Sequence, residues 1–164
     1  MNKYCTAYCR LYELCLRFYT REQMAHVIRV EEYVVEDPRF ILMTEEEQYL
    51  IKMIALAHDL FEDTDCLTNQ LVYAVQGYSS DVLIDVACLT RRKYEKESYM
   101  AYIKRLAESE RLMAIMVKQA DLKDHFTEAA SLKDSLKKRY LKAAPIIRDA
   151  VGSLKGYSIT PGRT

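Results

Sequence analysis

The chain has 164 residues, half of them apolar and 29% charged, a composition that suits one folded domain rather than two. Lysine plus arginine and aspartate plus glutamate each number 24, so there is no net charge to hold a polyanion, and we expect nucleic acid not to be the partner. No apolar run approaches the roughly 20 residues that cross a bilayer, so the sequence predicts a cytoplasmic protein without a membrane partner.

Apolar residues recur at helical spacing along the chain, and glycine and proline are too scarce for the frequent turns of a β-sandwich or barrel. The pattern predicts an all-α fold, a single-domain helical bundle of about seven or eight helices. In chain order we expect helices over roughly 3–18, 21–36, 44–60, 68–75, 81–89, 98–107, 110–126 and 131–151.

Local signals mark the ends of several of these helices. Three pairs resemble capping boxes or acidic first turns: Thr20 with Gln23, Thr44 with Glu47, and Ser131 with Asp134. Gly77 is expected just past the end of the fourth helix, and Pro145 is expected to kink or split the last one. The helices are predicted to form one domain over 1–151, followed by a loosely ordered tail over 152–164.

The segment ALAHDLFEDTD, residues 55–65, concentrates groups that can do chemistry. If the third helix continues through it, His58 and Glu62 lie four residues apart on one face, as do Asp59 and Asp63. Acids so close together repel and raise one another's pKa, and a bound cation removes that conflict. A solvated acidic helix end explains the pattern less well, because acids are unfavourable at a helix C-terminus.

Further metal ligands must come from elsewhere, and the chain has only three histidines to offer. His26 lies among apolar neighbours on a helix, where a histidine is more often a hydrogen-bonded core residue than a ligand. Asp121 and His125 lie together in VKQADLKDH, and an aspartate taken alone is more often a surface acid. Spacing leaves both interpretations open, because these residues lie on separate helices.

The order of these residues resembles the H…HD…D arrangement of the HD-domain superfamily. The finer similarity is to the (p)ppGpp hydrolase domain of stringent-response enzymes and their small stand-alone relatives. AHDLFEDT at 57–64 resembles the HDxxEDT signature of that domain, and VKQADLKDH at 117–125 resembles its VKxADLxxN segment. Three more segments are similar and collinear: AHVIRV at 25–30, LTRRKYEKESYMAYIKRL at 89–106, and KRYLKAAPII at 138–147.

The resemblance implies a metal-dependent phosphohydrolase that removes the 3′-pyrophosphate of (p)ppGpp-like nucleotides by means of metal-activated water. The four metal ligands that it implies are His26, His58, Asp59 and Asp121. Their mixed nitrogen and oxygen donors suit Mn²⁺, although another divalent ion could take its place. Glu62 and Asp63 match the acidic pair that orients or deprotonates the attacking water in the family.

Four residues are candidates for contact with the nucleotide: Arg17, Lys118, His125 and Arg139. Arg17 falls where an arginine packs on the base in the family, but Phe18 follows it in place of a lysine. His125 replaces an asparagine that contacts the substrate, and could contact a phosphate instead. Because fold alone does not determine substrate, an HD-type nucleotidase or phosphatase acting on another nucleotide is a serious alternative.

Two further alternatives belong to other classes of protein. A nucleotide-sensing protein would bind without turnover, but the catalytic acids would then have no reason to accompany the metal ligands. An oxidative enzyme with two irons would require more histidine ligands, and only His125 is left to provide one. A homo-oligomer is also compatible with the sequence.

Overall fold

The protein is described here by a computed structural model that covers residues 2–128 and 132–154. These residues form helices and no β-strand, so the predicted all-α fold is confirmed. The helices are α1 Lys3–Phe18, α2 Arg21–Val35, α3 Glu45–Ala57, α4 Leu60–Asp63, α5 Thr68–Ala74, α6 Ser79–Leu89, α7 Tyr99–Ala107, α8 Leu112–Thr127 and α9 Asp134–Ser153. Most predicted bounds lie close to these, and α4 is a single turn. None of the described helices is long and apolar enough to span a membrane.

The helix starts follow local sequence signals. Capping boxes are present at α2 and α3, where the hydroxyl of Thr20 or Thr44 accepts from the backbone N–H three residues later. Gly77 has a φ of +96°, a left-handed conformation that glycine adopts without strain, and it follows α5 closely as predicted. Ser131 and the tail from 155 onward lie outside the described residues, whereas 152–153 belong to α9.

Of the kink or split predicted at Pro145, the split does not occur, because α9 continues through this residue. A proline inside a helix leaves the carbonyl four residues earlier without its usual partner. That carbonyl belongs to Leu141, whose side chain is 62% exposed, and Pro145 is itself exposed. The missing bond therefore lies on the solvent side of the helix, where water can replace it.

The helix predicted over roughly 44–60 is present but ends early, because α3 stops at Ala57 and a separate turn, α4, begins at Leu60. Two backbone carbonyls near the end of α3 accept hydrogen bonds from side chains instead of from the N–H groups that would continue the helix. The Nδ1–H of His58 donates to the oxygen of Ala55 at 2.7 Å, and the hydroxyl of Tyr19 donates to the oxygen of Leu56 at 3.1 Å. With these acceptors taken, the backbone turns at His58 and Asp59.

Helix α3 lies at the centre of the bundle and packs against α1, α2, α6 and α8. Its residues from 53 to 57 are all buried, which is the pattern of a helix apolar all round. On one side of α3, Ile51 and Ile54 belong to a core cluster that also contains residues of α7, α8 and α9. On the other side, Met53 and Leu56 belong to a second core cluster that contains residues of α1 and α5. The carboxyl end of α3 is thus held rigidly beside α2 and α8.

Candidate metal centre

Three distant segments bring the four predicted ligands together. Helix α2 carries His26, the turn after α3 carries His58 and Asp59, and α8 carries Asp121. Because α2 packs on both α3 and α8, these side chains meet between the three elements. Spacing along the sequence left this convergence open, and only the family resemblance implied it.

The imidazole Nε2 atoms of two histidines face two carboxylates. His26 Nε2 lies 3.2 Å from Asp121 Oδ1 and 3.5 Å from Asp59 Oδ2. His58 Nε2 lies 3.3 Å from Asp59 Oδ2 and 3.8 Å from Asp121 Oδ1. Both Nε2 atoms are buried, and neither has a hydrogen-bond partner among residues 2–128 and 132–154. Buried nitrogens without partners are costly, and they indicate a ligand at the point where the four side chains meet.

The spacing of these donors fits a metal ion. A divalent cation with bonds of about 2.1 Å holds neighbouring donors at right angles about 3 Å apart. The contacts of 3.2 Å between His26 and Asp121 and of 3.3 Å between His58 and Asp59 are close to that separation. The donor set and its geometry therefore fit a cation at this place.

The other ring nitrogen of each histidine, Nδ1, makes a hydrogen bond on the side of the ring that faces away from Asp59 and Asp121. His58 Nδ1–H donates to the backbone oxygen of Ala55, and His26 Nδ1–H donates to Asp124 Oδ2 at 2.7 Å. Because an ionised carboxylate or a carbonyl can only accept, each Nδ1 carries a proton. In the neutral imidazole, Nε2 then presents its lone pair to the cluster formed by His26, His58, Asp59 and Asp121. Arg29 in turn donates to both oxygens of Asp124, at 2.7 and 2.9 Å. Sequence reasoning missed Asp124 and Arg29 as supports of the site.

The charges of the cluster compensate one another. Burial alone would lower the pKa of His26, but Asp121 and Asp59 outweigh it and raise that pKa to about 9. The same balance raises the pKa of His58 well above its ordinary value. Burial disfavours ionised Asp59, yet His58 and His26 hold the pKa of that carboxyl below its usual range. Without a metal these shifts favour protonated imidazoles, whose positive charge balances the two carboxylates as a divalent cation would.

A cavity of about 380 Å³ lies over the cluster, and the predicted acidic pair lines it. Glu62 makes an ion pair with Lys93, whose Nζ lies 3.2 Å from Glu62 Oε1. Burial and the nearby Asp59 raise the pKa of the Asp63 carboxyl, which makes it a stronger base than an ordinary aspartate. Both acids lie on α4 rather than on a continuation of α3, so they face the cavity from a separate turn.

Three of the four predicted substrate contacts line the same cavity: Lys118, His125 and Arg139. Lys118 is buried and its Nζ lies 2.6 Å from Asp121 Oδ2. Burial opposes the charge of Lys118, but Asp121 raises its pKa well above the ordinary value, so the ammonium stays protonated. Arg139 lies over the ring of Tyr99, with its guanidinium carbon 5.4 Å from the ring centre.

Arg17 does not lie at this site, so the structure does not support its predicted contact with the nucleotide base. It lies on the last turn of α1, lines a different cavity beside Asn69 and Tyr73, and donates to the oxygen of Glu13 at 3.5 Å. The reason is the orientation of α1, which packs on α3 and α5 and turns this side chain away from the cluster.

Tyr99 is a cavity residue that sequence reasoning missed. It lines the cavity, and its hydroxyl is buried without a hydrogen-bond partner in the described part of the chain. Its ring packs edge-on against Tyr140 with centres 5.9 Å apart, and Lys118 lies over its face. A free hydroxyl beside two cations is a donor suited to a phosphoryl oxygen.

Comparison of the chain with models of known protein families finds no match. Comparison with curated proteins finds no match either.

Proposed function

We propose that this protein is a divalent-metal-dependent phosphohydrolase of the HD-domain type that acts on a phosphorylated or pyrophosphorylated nucleotide. The observation that carries the proposal is the pair of buried, unpartnered Nε2 atoms of His26 and His58 facing Asp59 and Asp121. The resemblance of residues 57–64 and 117–125 to the (p)ppGpp hydrolase domain supports removal of a 3′-pyrophosphate as the first reaction to test.

His26, His58, Asp59 and Asp121 would hold Mn²⁺ or another divalent ion. When bound, such an ion acidifies a water molecule and polarises a phosphoryl oxygen. Asp124 and the carbonyl of Ala55 keep the two imidazoles in the tautomer that this role requires.

The acidic pair manages the proton of the attacking water. Asp63, with its raised pKa, accepts that proton, and it can later return it to the leaving 3′-oxygen of the ribose. Glu62 is held by Lys93 at one oxygen, which leaves the second oxygen to orient the water. Both roles require a carboxylate, so the corresponding amides should fail in them.

Positive side chains around the cavity neutralise the phosphate groups. Arg139 and Lys118 line it on the side of α8 and α9, and Arg91 and Lys93 line it beside the acidic pair. The volume of about 380 Å³ lies within the range of sites for small organic ligands. Cations on two sides suit a substrate with more than one phosphate group.

The proposal is tested by incubating the Mn²⁺-loaded protein with a panel of guanine and adenine nucleotides. The panel includes the 3′-pyrophosphorylated forms and the 2′-, 3′- and 5′-monophosphates, and both phosphate and pyrophosphate are measured. We expect release from one member, with Glu62→Gln and Asp63→Asn each lowering kcat by about 100-fold or more. Asp65→Asn is the matched control, because this exposed acid follows the pair without lining the cavity.

Tight binding of a nucleotide without release from any panel member would contradict the hydrolase and favour a sensor. Release of phosphate from a monophosphate alone would keep the reaction class and replace the pyrophosphorylated substrate. Activity that survives a chelator unchanged would overturn the metal-dependent mechanism.

A further inference from the structure

A third imidazole faces the same cluster. His125 Nε2 lies 3.1 Å from Asp121 Oδ1, the carboxylate oxygen that also faces His26 Nε2 at 3.2 Å. The other oxygen of Asp121 is taken by Lys118 at 2.6 Å. Asp121 Oδ1 is therefore left among three imidazole nitrogens, counting His58 Nε2 at 3.8 Å. Neutral imidazole nitrogens that turn their lone pairs toward a carboxylate oxygen conflict with it, and a cation between them removes that conflict.

The ring of His125 is held in this orientation by packing. It stacks on Tyr140 with ring centres 4.5 Å apart and an angle of 11°, and on His26 at 5.2 Å and 24°. Two stacked neighbours and a place on α8, one turn after Asp121, leave the ring little freedom. The nitrogen is thus preorganised toward the cluster rather than free to follow a substrate.

Two groups of donor atoms, each within 4.8 Å of one another, have the spacing to hold a cation. One group is His26, His58 and Asp59, and the other is His26, Asp121 and His125. The shared residue is His26, and its Nδ1 is occupied by Asp124, so only Nε2 remains to bind an ion. One nitrogen lone pair serves one cation, so the two groups cannot hold separate ions and belong to a single candidate site.

We propose that His125 is a fifth protein ligand of the cation, an inference that rests on the metal centre of the proposed function. Three imidazoles and two carboxylates form a set that is richer in nitrogen than the four ligands implied by the sequence. Imidazole favours Fe²⁺, Co²⁺ and Zn²⁺, whereas carboxylate and water favour Mn²⁺ and Mg²⁺. His125 therefore shifts the metal preference of this chain toward the nitrogen-binding ions.

Metal binding to the purified protein, measured by titration calorimetry and chelator competition with Mn²⁺, Co²⁺ and Zn²⁺, tests this role without an activity assay. His125→Phe keeps an aromatic ring between Tyr140 and His26 but removes the nitrogen. We expect it to lower the affinity for Co²⁺ and Zn²⁺ by at least about tenfold, with a smaller loss for Mn²⁺. The visible spectrum of the Co²⁺ form should change as well, because a ligand nitrogen is lost.

Lys123→Ala, a solvent-facing change on the same helix, is the matched control and should leave all three affinities unchanged. Thermal unfolding of the metal-free variants shows whether each one is folded. Unchanged Co²⁺ and Zn²⁺ affinity and an unchanged Co²⁺ spectrum in folded His125→Phe would overturn the fifth ligand. If Asp59→Asn still abolishes binding in that case, the metal centre stands. If the wild-type protein binds none of the three ions, both proposals fail together.

Discussion

Asp124 lies behind His26, on the side of the imidazole that faces away from the cluster. Its side chain is almost completely buried, and it accepts one hydrogen bond from His26 and two from Arg29. Burial raises the pKa of the Asp124 carboxyl, but Arg29 and His26 outweigh it, so the group is ionised. A carboxylate in this position makes the facing nitrogen of the imidazole more basic and keeps the ring in place.

The change Asp124→Asn should lower metal affinity by about 10- to 100-fold without removing any ligand. The amide has nearly the same shape, but it lacks the negative charge that orients and polarises His26. Competition with a chelator measures the affinity, and Glu32→Gln, which removes one exposed charge from α2, serves as the control. Equal metal affinity in a folded Asp124→Asn protein would show that Asp124 only fills space.

The turn between α3 and α4 determines where Glu62 and Asp63, the acidic pair of the proposed function, lie. The oxygen of Leu56 accepts from the hydroxyl of Tyr19 at 3.1 Å and from the thiol of Cys15 at 3.7 Å. Both donors come from the end of α1, and both are buried. These two hydrogen bonds end α3 just before His58. The chain therefore leaves the helix with Asp59 at the cluster and Glu62 lining the cavity.

Replacing Tyr19 by phenylalanine tests this role of α1. The change should destabilise the fold by about 1 kcal/mol, because a buried carbonyl loses one of its two donors. It should also weaken metal binding, since the turn that carries His58 and Asp59 is held less firmly. Chemical denaturation gives the free energy of unfolding, and Tyr94→Phe is the control, because Tyr94 is 83% exposed. If the two variants are equally stable, the hydroxyl of Tyr19 does not hold the end of α3.

The same turn shows why sequence predicts some parts of this fold and not others. The starts of α2 and α3 depend on side chains three residues away, so Thr20 and Thr44 could be recognised directly. The end of α3 depends on Tyr19, which is remote in sequence, and periodicity carries no information about it. The orientation of Arg17 and the place of Asp124 behind His26 likewise depend on how whole helices pack.

The candidate centre connects three segments that also pack against one another in the core of the bundle. The ligands come from α2, from the turn after α3 and from α8, three segments that also contribute to the two core clusters. A cation bound to all of them exists only in the folded chain, so its binding free energy adds to folding stability. The metal should therefore act on the stability of the entire bundle.

Added metal should raise the temperature at which this bundle unfolds. A divalent ion at about 100 times its Kd should add about 2.7 kcal/mol to the free energy of unfolding, which raises Tm by roughly 5–10 °C for a domain of this size.

The size of this increase should depend on pH. The pKa of His26 is raised to about 9, above its unfolded value, so the stability that His26 contributes to the metal-free fold is present below about pH 6.5 and is lost toward pH 9. The bound metal needs a neutral imidazole, so protons compete with it less as pH rises. The increase in Tm on adding metal should hence be larger at about pH 8.5 than at about pH 7, and it should vanish in Asp59→Asn. An increase that is equal at both pH values, or that persists in this variant, would mean that the ion binds away from His26 and Asp59.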